Sequence, residues 1–220
     1  MSGKFVVFEG VDNSGKTTVA TRIKEWLESR KVQAILTKHP GSTAVGQELR
    51  QILKHSEHPI DPNSQALLFA ADNSLFINNI LKPAKKTGCW ILCDRNNFIS
   101  SLAYQIASGC DFDHLDNVHA ATGNTEDTKI DVLFVFYCSW ENTKLRKSLA
   151  GDEVPDRYED QGRDYFNKLH DCYDKLLSEQ SGRLQKFVKD LDNVHYIDAN
   201  RTLDEVIGEI KGILEVNLRG

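Results

Sequence analysis

An apolar segment, Lys4-Phe-Val-Val-Phe-Glu9, runs directly into Gly10-Val-Asp-Asn-Ser-Gly15-Lys16-Thr17-Thr18, and a helical pattern begins at once behind it. This G-x-x-x-x-G-K-T spacing, set between strand and helix, constrains the chain more than any other feature. Glycine lets the backbone curl so that N–H groups from Gly10 through Asn13, Ser14 and Gly15 to Thr18 converge on a polyphosphate. Lys16 is long enough for the β- and γ-phosphates, and Thr17 offers a hydroxyl to Mg²⁺. A helix that starts at the phosphates adds the attraction of its N-terminal dipole. The competing reading, a glycine-rich turn that binds nothing, fits the strand–helix setting poorly. The loop thus calls for a nucleoside triphosphate without saying what becomes of it.

Behind the loop, nearly continuous apolar runs alternate with amphipathic stretches. The runs predict strands at Phe5–Glu9, Val32–Thr37, Cys89–Asp94, Val132–Cys138 and Val194–Asp198, each apolar enough to be buried on both faces of a parallel sheet. Val19, Ile23, Trp26 and Leu27 share one face of the first helix. Pro62-Asn63-Ser64 opens a long helix through Leu67, Leu68, Phe69 and Phe76 that Pro83 should kink or end. Thr202-x-x-Glu205 reads as a capping box ahead of an apolar stripe of Leu203, Val206, Ile207, Ile210 and Leu214. Lys38–Thr43 is a Pro-Gly turn after the second strand. Ala150–Asp156, small and acidic, is either a lid over the cleft or an ordinary surface loop.

At 220 residues and 40% hydrophobic content the chain suits one large domain, 1–220, with a substantial core. A net charge of −5 argues against a nucleic-acid or anionic-membrane partner. Five cysteines with no C-x-x-C pair argue against a zinc site or disulfide framework and point to a reducing compartment, the cytoplasm. No run approaches the ~18 apolar residues of a membrane span. The first strand starts almost at the N-terminus, so no signal peptide is expected.

The third strand ends Cys89-Trp-Ile-Leu-Cys-Asp94-Arg95. In an open α/β sheet ligands sit beyond the carboxyl ends of the strands. Asp94 would emerge beside the phosphate loop, where a carboxylate holds Mg²⁺ through water, and Arg95 suits a phosphate bidentately. A surface ion pair is the alternative. Asn167-Lys-Leu-His-Asp171 is one residue too long for an N-K-x-D base-reading motif and lies in a helical pattern, so a switch GTPase is disfavoured. Asp-Arg, where a motor ATPase would show Asp-Glu, suits a second phosphate better than it suits activation of water. The chemistry indicated is phosphoryl transfer to an anionic acceptor.

At this point the chain resembles the thymidylate kinase family over nearly its whole length. Phe8–Thr18 is similar to the family's first motif, Thr37-Lys-His-Pro-Gly41 to its second, Leu67-Leu-Phe-Ala-Ala-Asp72 to its nucleobase helix, and Asp94-Arg95 with Ser100-Ser101-Leu-Ala-Tyr-Gln105 to its third. Asp156-Arg-Tyr-Glu159 resembles the segment closing the lid, and Val194-His-Tyr-Ile-Asp-Ala199 the last strand. The resemblance implies a P-loop NTPase fold: a five-stranded parallel sheet flanked by helices on both faces, with a lid at about 147–157. It implies transfer of the ATP γ-phosphate to a pyrimidine deoxynucleoside monophosphate, with Mg²⁺ at Thr17 and Asp94, and a homodimer formed through helices beside the sheet. Residue by residue, it places Asp12 at the acceptor's 3′-hydroxyl, Lys38 and Arg95 on its phosphate, Phe69 against its base and Tyr104 against its sugar. Arg146, Lys147 and Arg157 fall where the family sets cations that close over the transferring phosphate, and Ser101 falls within the acceptor motif.

The departures cluster around the base. The family carries Arg-Glu where this chain has Lys38-His39. It carries an arginine, donating to the base's 4-oxo group, where this chain has Asn73. It often shows Asp-Arg-Tyr where this chain reads Asp94-Arg-Asn-Asn97, and this chain is one residue longer between Asp94 and Tyr104. An amide donates or accepts, whereas a guanidinium only donates. The expectation is an enzyme for dTMP that also takes dUMP or another 5-substituted deoxyuridylate. Three rivals stay open: a deoxynucleoside kinase, for which Lys38 and His39 stand where a carboxylate base belongs; a kinase of a modified pyrimidine in DNA; and a nucleotide-binding module without turnover.

Overall fold

The computed structural model describes residues 3–123, 125–150, 161–178, 182 and 184–219, apart from the side chains of residues 97, 98, 101, 112, 150 and 219. Five strands pair in parallel: β1 (Phe5–Gly10), β2 (Ala34–Lys38), β3 (Trp90–Asp94), β4 (Val132–Tyr137) and β5 (Val194–Asp198). They lie in the order β2-β3-β1-β4-β5. Every residue of β1 and β3 is buried, which is why these segments read as unbroken apolar runs. Phe8 stacks on Phe134 across β1 and β4, with ring centroids 5.5 Å apart.

The helices cover both faces. They are α1 (Lys16–Ser29), α2 (Ala44–His55), α3 (Pro62–Phe76), α4 (Lys82–Lys86), α5 (Asn97–Ala107), α6 (Phe112–Ala120), α7 (Trp140–Ala150), α8 (Gly162–Leu177) and α9 (Leu203–Arg219). Val19, Ile23 and Leu27 of α1 are buried as their spacing predicts. Thr202 and Glu205 form the expected reciprocal box: Thr202 N–H donates to Glu205 Oε2 at 3.0 Å, and Glu205 N–H to Thr202 Oγ1 at 3.4 Å.

Two elements differ from the sequence expectation. β2 begins at Ala34 rather than Val32, because the chain is still closing α1: Lys31 takes a left-handed φ of 61° and Val32 N–H donates to Leu27 O at 3.0 Å. Pro83 does not end the helical run. A wider π-helical turn, Ile77–Leu81, precedes it, with Lys82 N–H reaching back to Ile77 O, and α4 then continues to Lys86. The wider turn absorbs the missing N–H and the ring bulk that proline brings to a helix interior.

The chain leaves β1 toward β2 and β3 on one side and later crosses to β4 on the other. β1 therefore stands at the switch point where an open sheet forms its crevice. The register aligns the carboxyl ends: Lys38 lies opposite Asp94, and Asp94 opposite Phe8. β1 runs two residues further, and its Glu9 and Gly10 pair only with β4.

Candidate active site

A cavity of about 720 Å³ opens at the carboxyl edge of the sheet and takes in both the phosphate loop and the loops after β2 and β3. The loop has the backbone its glycines allow. Gly10 has φ 131° and Gly15 φ 95°, and a Cβ on Gly10 would stand 2.4 Å from Phe136 O. Gly15 caps α1 without any side-chain acceptor, so the first turn of the helix presents its N–H groups to the cavity wall formed by Gly15, Lys16, Thr17 and Thr18.

Lys16 is buried, and its Nζ donates to Val11 O at 2.6 Å and to Ser14 Oγ at 3.2 Å. Burial, aided by the charge of Arg95, brings its pKa down to about 8, against the pull of Asp94, Asp12 and Glu9. Thr17 Oγ1 donates to Asp94 Oδ2, so the hydroxyl and carboxylate expected at the metal stand together. Among the described residues no group of three or more His, Cys, Asp or Glu side chains forms a metal cluster. A hydrated Mg²⁺ bound mainly through substrate phosphates needs only one or two protein oxygens, and the Thr17–Asp94 pair fits that demand.

Asp12 is the centre of a second cluster. Its Oδ1 lies 2.6 Å from Arg95 Nη2, and its Oδ2 accepts from Tyr104 Oη at 2.7 Å. Arg95 Nη1 donates to Gly10 O at 3.0 Å, and the guanidinium lies 5.2 Å from the Tyr104 ring centre. Burial pushes the Asp12 carboxyl up, but Arg95, Lys16 and Lys54 outweigh it and hold it well below the ordinary carboxylate range. Phe69, Ser100 and Tyr104 line the same cavity. Lys38 also lines it, its pKa lowered by burial against the opposing charge of Asp94.

Sequence reasoning missed the residues that frame these groups. Arg50 and Lys54, one turn apart on α2, bring two further cations to the wall beside Lys38 and Arg95. Their i,i+4 spacing was the available signal, but it equally describes a solvated face. Arg50 Nη1 donates to Pro40 O at 3.0 Å, and Asp72 Oδ1 accepts from Gly41 N–H at 3.1 Å, so α2 and α3 hold the Lys38–Thr43 turn from two sides. At the other end Ala199, Arg201, Leu203 and Val206 line the cavity. Leu203, expected in the buried stripe of α9, is 41% exposed there.

Three predicted residues are placed differently from expectation. Asn73 is wholly buried and is not among the cavity-lining residues. Its Nδ2 donates to Thr122 Oγ1 at 3.3 Å, which in turn donates to His119 O at 2.8 Å. The short amide, one turn beyond Phe69 on α3, ends inside the contact between α3 and α6. Arg146 lines the cavity, but with its guanidinium on backbone: Nη1 donates to Ser14 O at 2.8 Å and Nη2 to Ala199 O at 2.6 Å. Lys147 lines a smaller adjoining pocket of about 50 Å³, beside Trp140 and Phe166, that shares Asp12, Asn13 and Tyr104 with the main cavity. Arg157, most of the segment expected as a lid, and the side chains of Asn97 and Ser101 lie outside the described residues.

A family model described as Thymidylate kinase matches residues 8–210. The chain is 31% identical over 217 residues to a protein named Thymidylate kinase from Legionella pneumophila (strain Paris), covering 98% of this chain and 95% of that one. It is 31% identical over 219 residues to one from Thermosipho africanus, covering 98% and 99%. It is 33% identical over 211 residues to one from Blochmanniella pennsylvanica, covering 94% and 92%.

Proposed function

The chain belongs to the thymidylate kinase family, and on that premise we propose that it is a nucleoside monophosphate kinase that phosphorylates dTMP with ATP as donor. The observation that carries this reading is the continuity of one cavity from the phosphate loop to the Asp12–Arg95–Tyr104 cluster and Phe69. The donor and an anionic acceptor would meet end to end there. ATP would supply the phosphoryl group, and a Mg²⁺ held by Thr17 and Asp94 would neutralise its charge.

The acceptor phosphate is already a nucleophile at neutral pH, so the protein's work is positioning and charge. Lys16 and the N-terminal turn of α1 take the donor phosphates. Thr17 and Asp94 would hold the metal. Arg95 and Lys38, with Arg50 and Lys54 near them, take the acceptor phosphate. Asp12 and Tyr104 orient the sugar, and Phe69 gives the base a flat apolar face. Transfer forms a bond from an acceptor-phosphate oxygen to the γ-phosphorus and breaks the bond to the leaving ADP oxygen. An ATP-consumption assay offered thymidine, dTMP and DNA in turn tests the reading: turnover with dTMP supports it, and turnover only with thymidine or DNA, or with none, refutes it.

A finer reading concerns the base. With the Asn73 amide directed to Thr122 and no guanidinium in its place, little marks the 4-position, and we take dUMP and other 5-substituted deoxyuridylates as further acceptors. We also take the chain as one kinase domain with a lid at 147–157, acting in the cytoplasm as a homodimer. Val45 and Ile52, on one face of α2, and Leu67 of α3 support the dimer, being exposed by 52%, 44% and 56%. Sedimentation of the purified protein tests it. Among the described residues no helix is long and apolar enough to cross a membrane.

A further inference from the structure

Glu9 does not line the cavity, yet it is wholly buried beneath it. Its Oε1 accepts from Asn96 N–H at 2.6 Å and from Ser100 Oγ at 2.8 Å. Its Oε2 accepts from Tyr173 Oη at 3.0 Å and Gly10 N–H at 3.3 Å, and lies 2.7 Å from Ser100 Oγ, whose single proton the two oxygens share. The donors come from three places: the end of β1, the first turn of α5 and the middle of α8. Burial dominates and leaves the Glu9 carboxyl above its ordinary value, with Arg95, the Asn96 N–H and Ser100 offsetting it only in part. Each carboxyl oxygen faces one backbone N–H, Asn96 on Oε1 and Gly10 on Oε2, and a backbone N–H can only donate.

The residue in the middle of these contacts is Arg95. It has φ 72°, a left-handed backbone that a non-glycine residue adopts at a cost. The surroundings must therefore impose it. Arg95 N–H is held by Phe8 O at 2.9 Å, and the next amide, Asn96 N–H, by the Glu9 side chain. Successive residues of β1 thus pin the turn on both sides of its strained residue.

We infer that Glu9 is a positioning residue for the transfer: by holding Asn96 and Ser100 it keeps the Arg95 turn left-handed and its guanidinium toward the acceptor phosphate, and through Tyr173 it ties that setting to α8. The inference rests on the proposed dTMP kinase activity. It separates from a merely structural role because it names one substrate. A structural carboxylate would change the amount of folded enzyme and leave both Michaelis constants alone.

The test uses purified E9Q and Y173F. In E9Q the amide NH₂ must face a donor whichever way it turns. Titration calorimetry with dTMP and initial rates with each substrate varied are compared with wild type. In E9Q the dTMP Kd and KM should rise roughly tenfold, with the ATP KM within about twofold; Y173F should move the dTMP values the same way by roughly threefold. Unchanged dTMP constants in folded E9Q, or a parallel rise in both KM values, overturns the inference. If E9Q does not fold, Y173F decides on the same criterion. Wild type with no dTMP turnover would instead defeat the proposed function, whereas normal wild-type turnover with unaffected variants defeats this inference alone.

Discussion

Arg95 and Asp12 form an ion pair of 2.6 Å between the loop and the turn after β3, and Tyr104 closes the second Asp12 oxygen. The pair fixes the sign of a pH effect. The folded carboxyl of Asp12 lies below its ordinary value of 3.8, because Arg95, Lys16 and Lys54 outweigh burial. Its contribution to stability is complete above that value and is lost as pH falls through the folded value. Wild type should therefore out-melt D12N by a constant margin from pH 7 to about 5, and the margin should shrink below about pH 4. Melting curves across that range check this, and a margin that widens toward acid contradicts it.

Lys16 titrates in the opposite sense. Its folded pKa, about 8, lies below its ordinary 10.5, so the charged form costs stability below that pH and the cost is relieved above it. Activity pays for that relief, since the neutral amine no longer meets phosphate. kcat/KM for ATP should fall as pH rises through about 8, while kcat should hold to higher pH because bound phosphate favours the cation. K16A should abolish this limb and lower kcat/KM by at least ~100-fold, as should R95A for the acceptor. A pH–rate profile with no alkaline limb in the wild type would remove the basis for this assignment.

Asn73 bonds Thr122 rather than facing the cavity. N73A should accordingly change kcat/KM for dTMP by less than about threefold while costing about 1 kcal/mol in a urea melt, the scale of one lost hydrogen bond. The dTMP-to-dUMP ratio of kcat/KM should stay below ~100-fold, near what one methyl group supplies. A larger ratio in the wild type would mean that the base is read by a contact elsewhere.

Arg146 links Ser14 O and Ala199 O, one on the phosphate loop and one after β5. R146A leaves both carbonyls short of a donor and loosens the donor half alone. The expected result is an ATP KM raised roughly tenfold with the dTMP KM within about twofold. Equal changes in both would show that the guanidinium serves the transferring phosphate instead.

Much of this architecture was legible because it is local. Phe5–Glu9 and Val132–Cys138 announce buried parallel strands by composition alone, and Gly10–Thr18 announces its loop by spacing. What escaped notice depends on distant partners. Glu9 looks like the last residue of a strand until Asn96, Ser100 and Tyr173 close on it. Arg50 and Lys54 look like a wet helix face until α2 is laid along the Lys38–Thr43 turn. Pro83 does not stop its helix, because a wider turn ahead of it, invisible to a period-3.6 reading, takes up the ring. Asn73 sat in a recognisable motif, but whether its side chain reaches the cavity depends on length, and the motif carries no length.

The phosphate loop is gripped at both ends, by Arg95 on Gly10 O and by Arg146 on Ser14 O. On the proposed reading, each grip belongs to a different substrate's half of the cavity. A change inside the loop is therefore felt by donor and acceptor together, which makes it a poor place for a lineage to try new substrates. α3 carries a divided duty of its own: Phe69 lines the cavity, while Asp72, three residues on, holds Gly41 N–H of the turn after β2. A substitution on that stretch of α3 therefore also bears on the Lys38–Thr43 turn. On the proposed reading, a change of acceptor would have to spare both grips on the loop and the Asp72 hold on that turn.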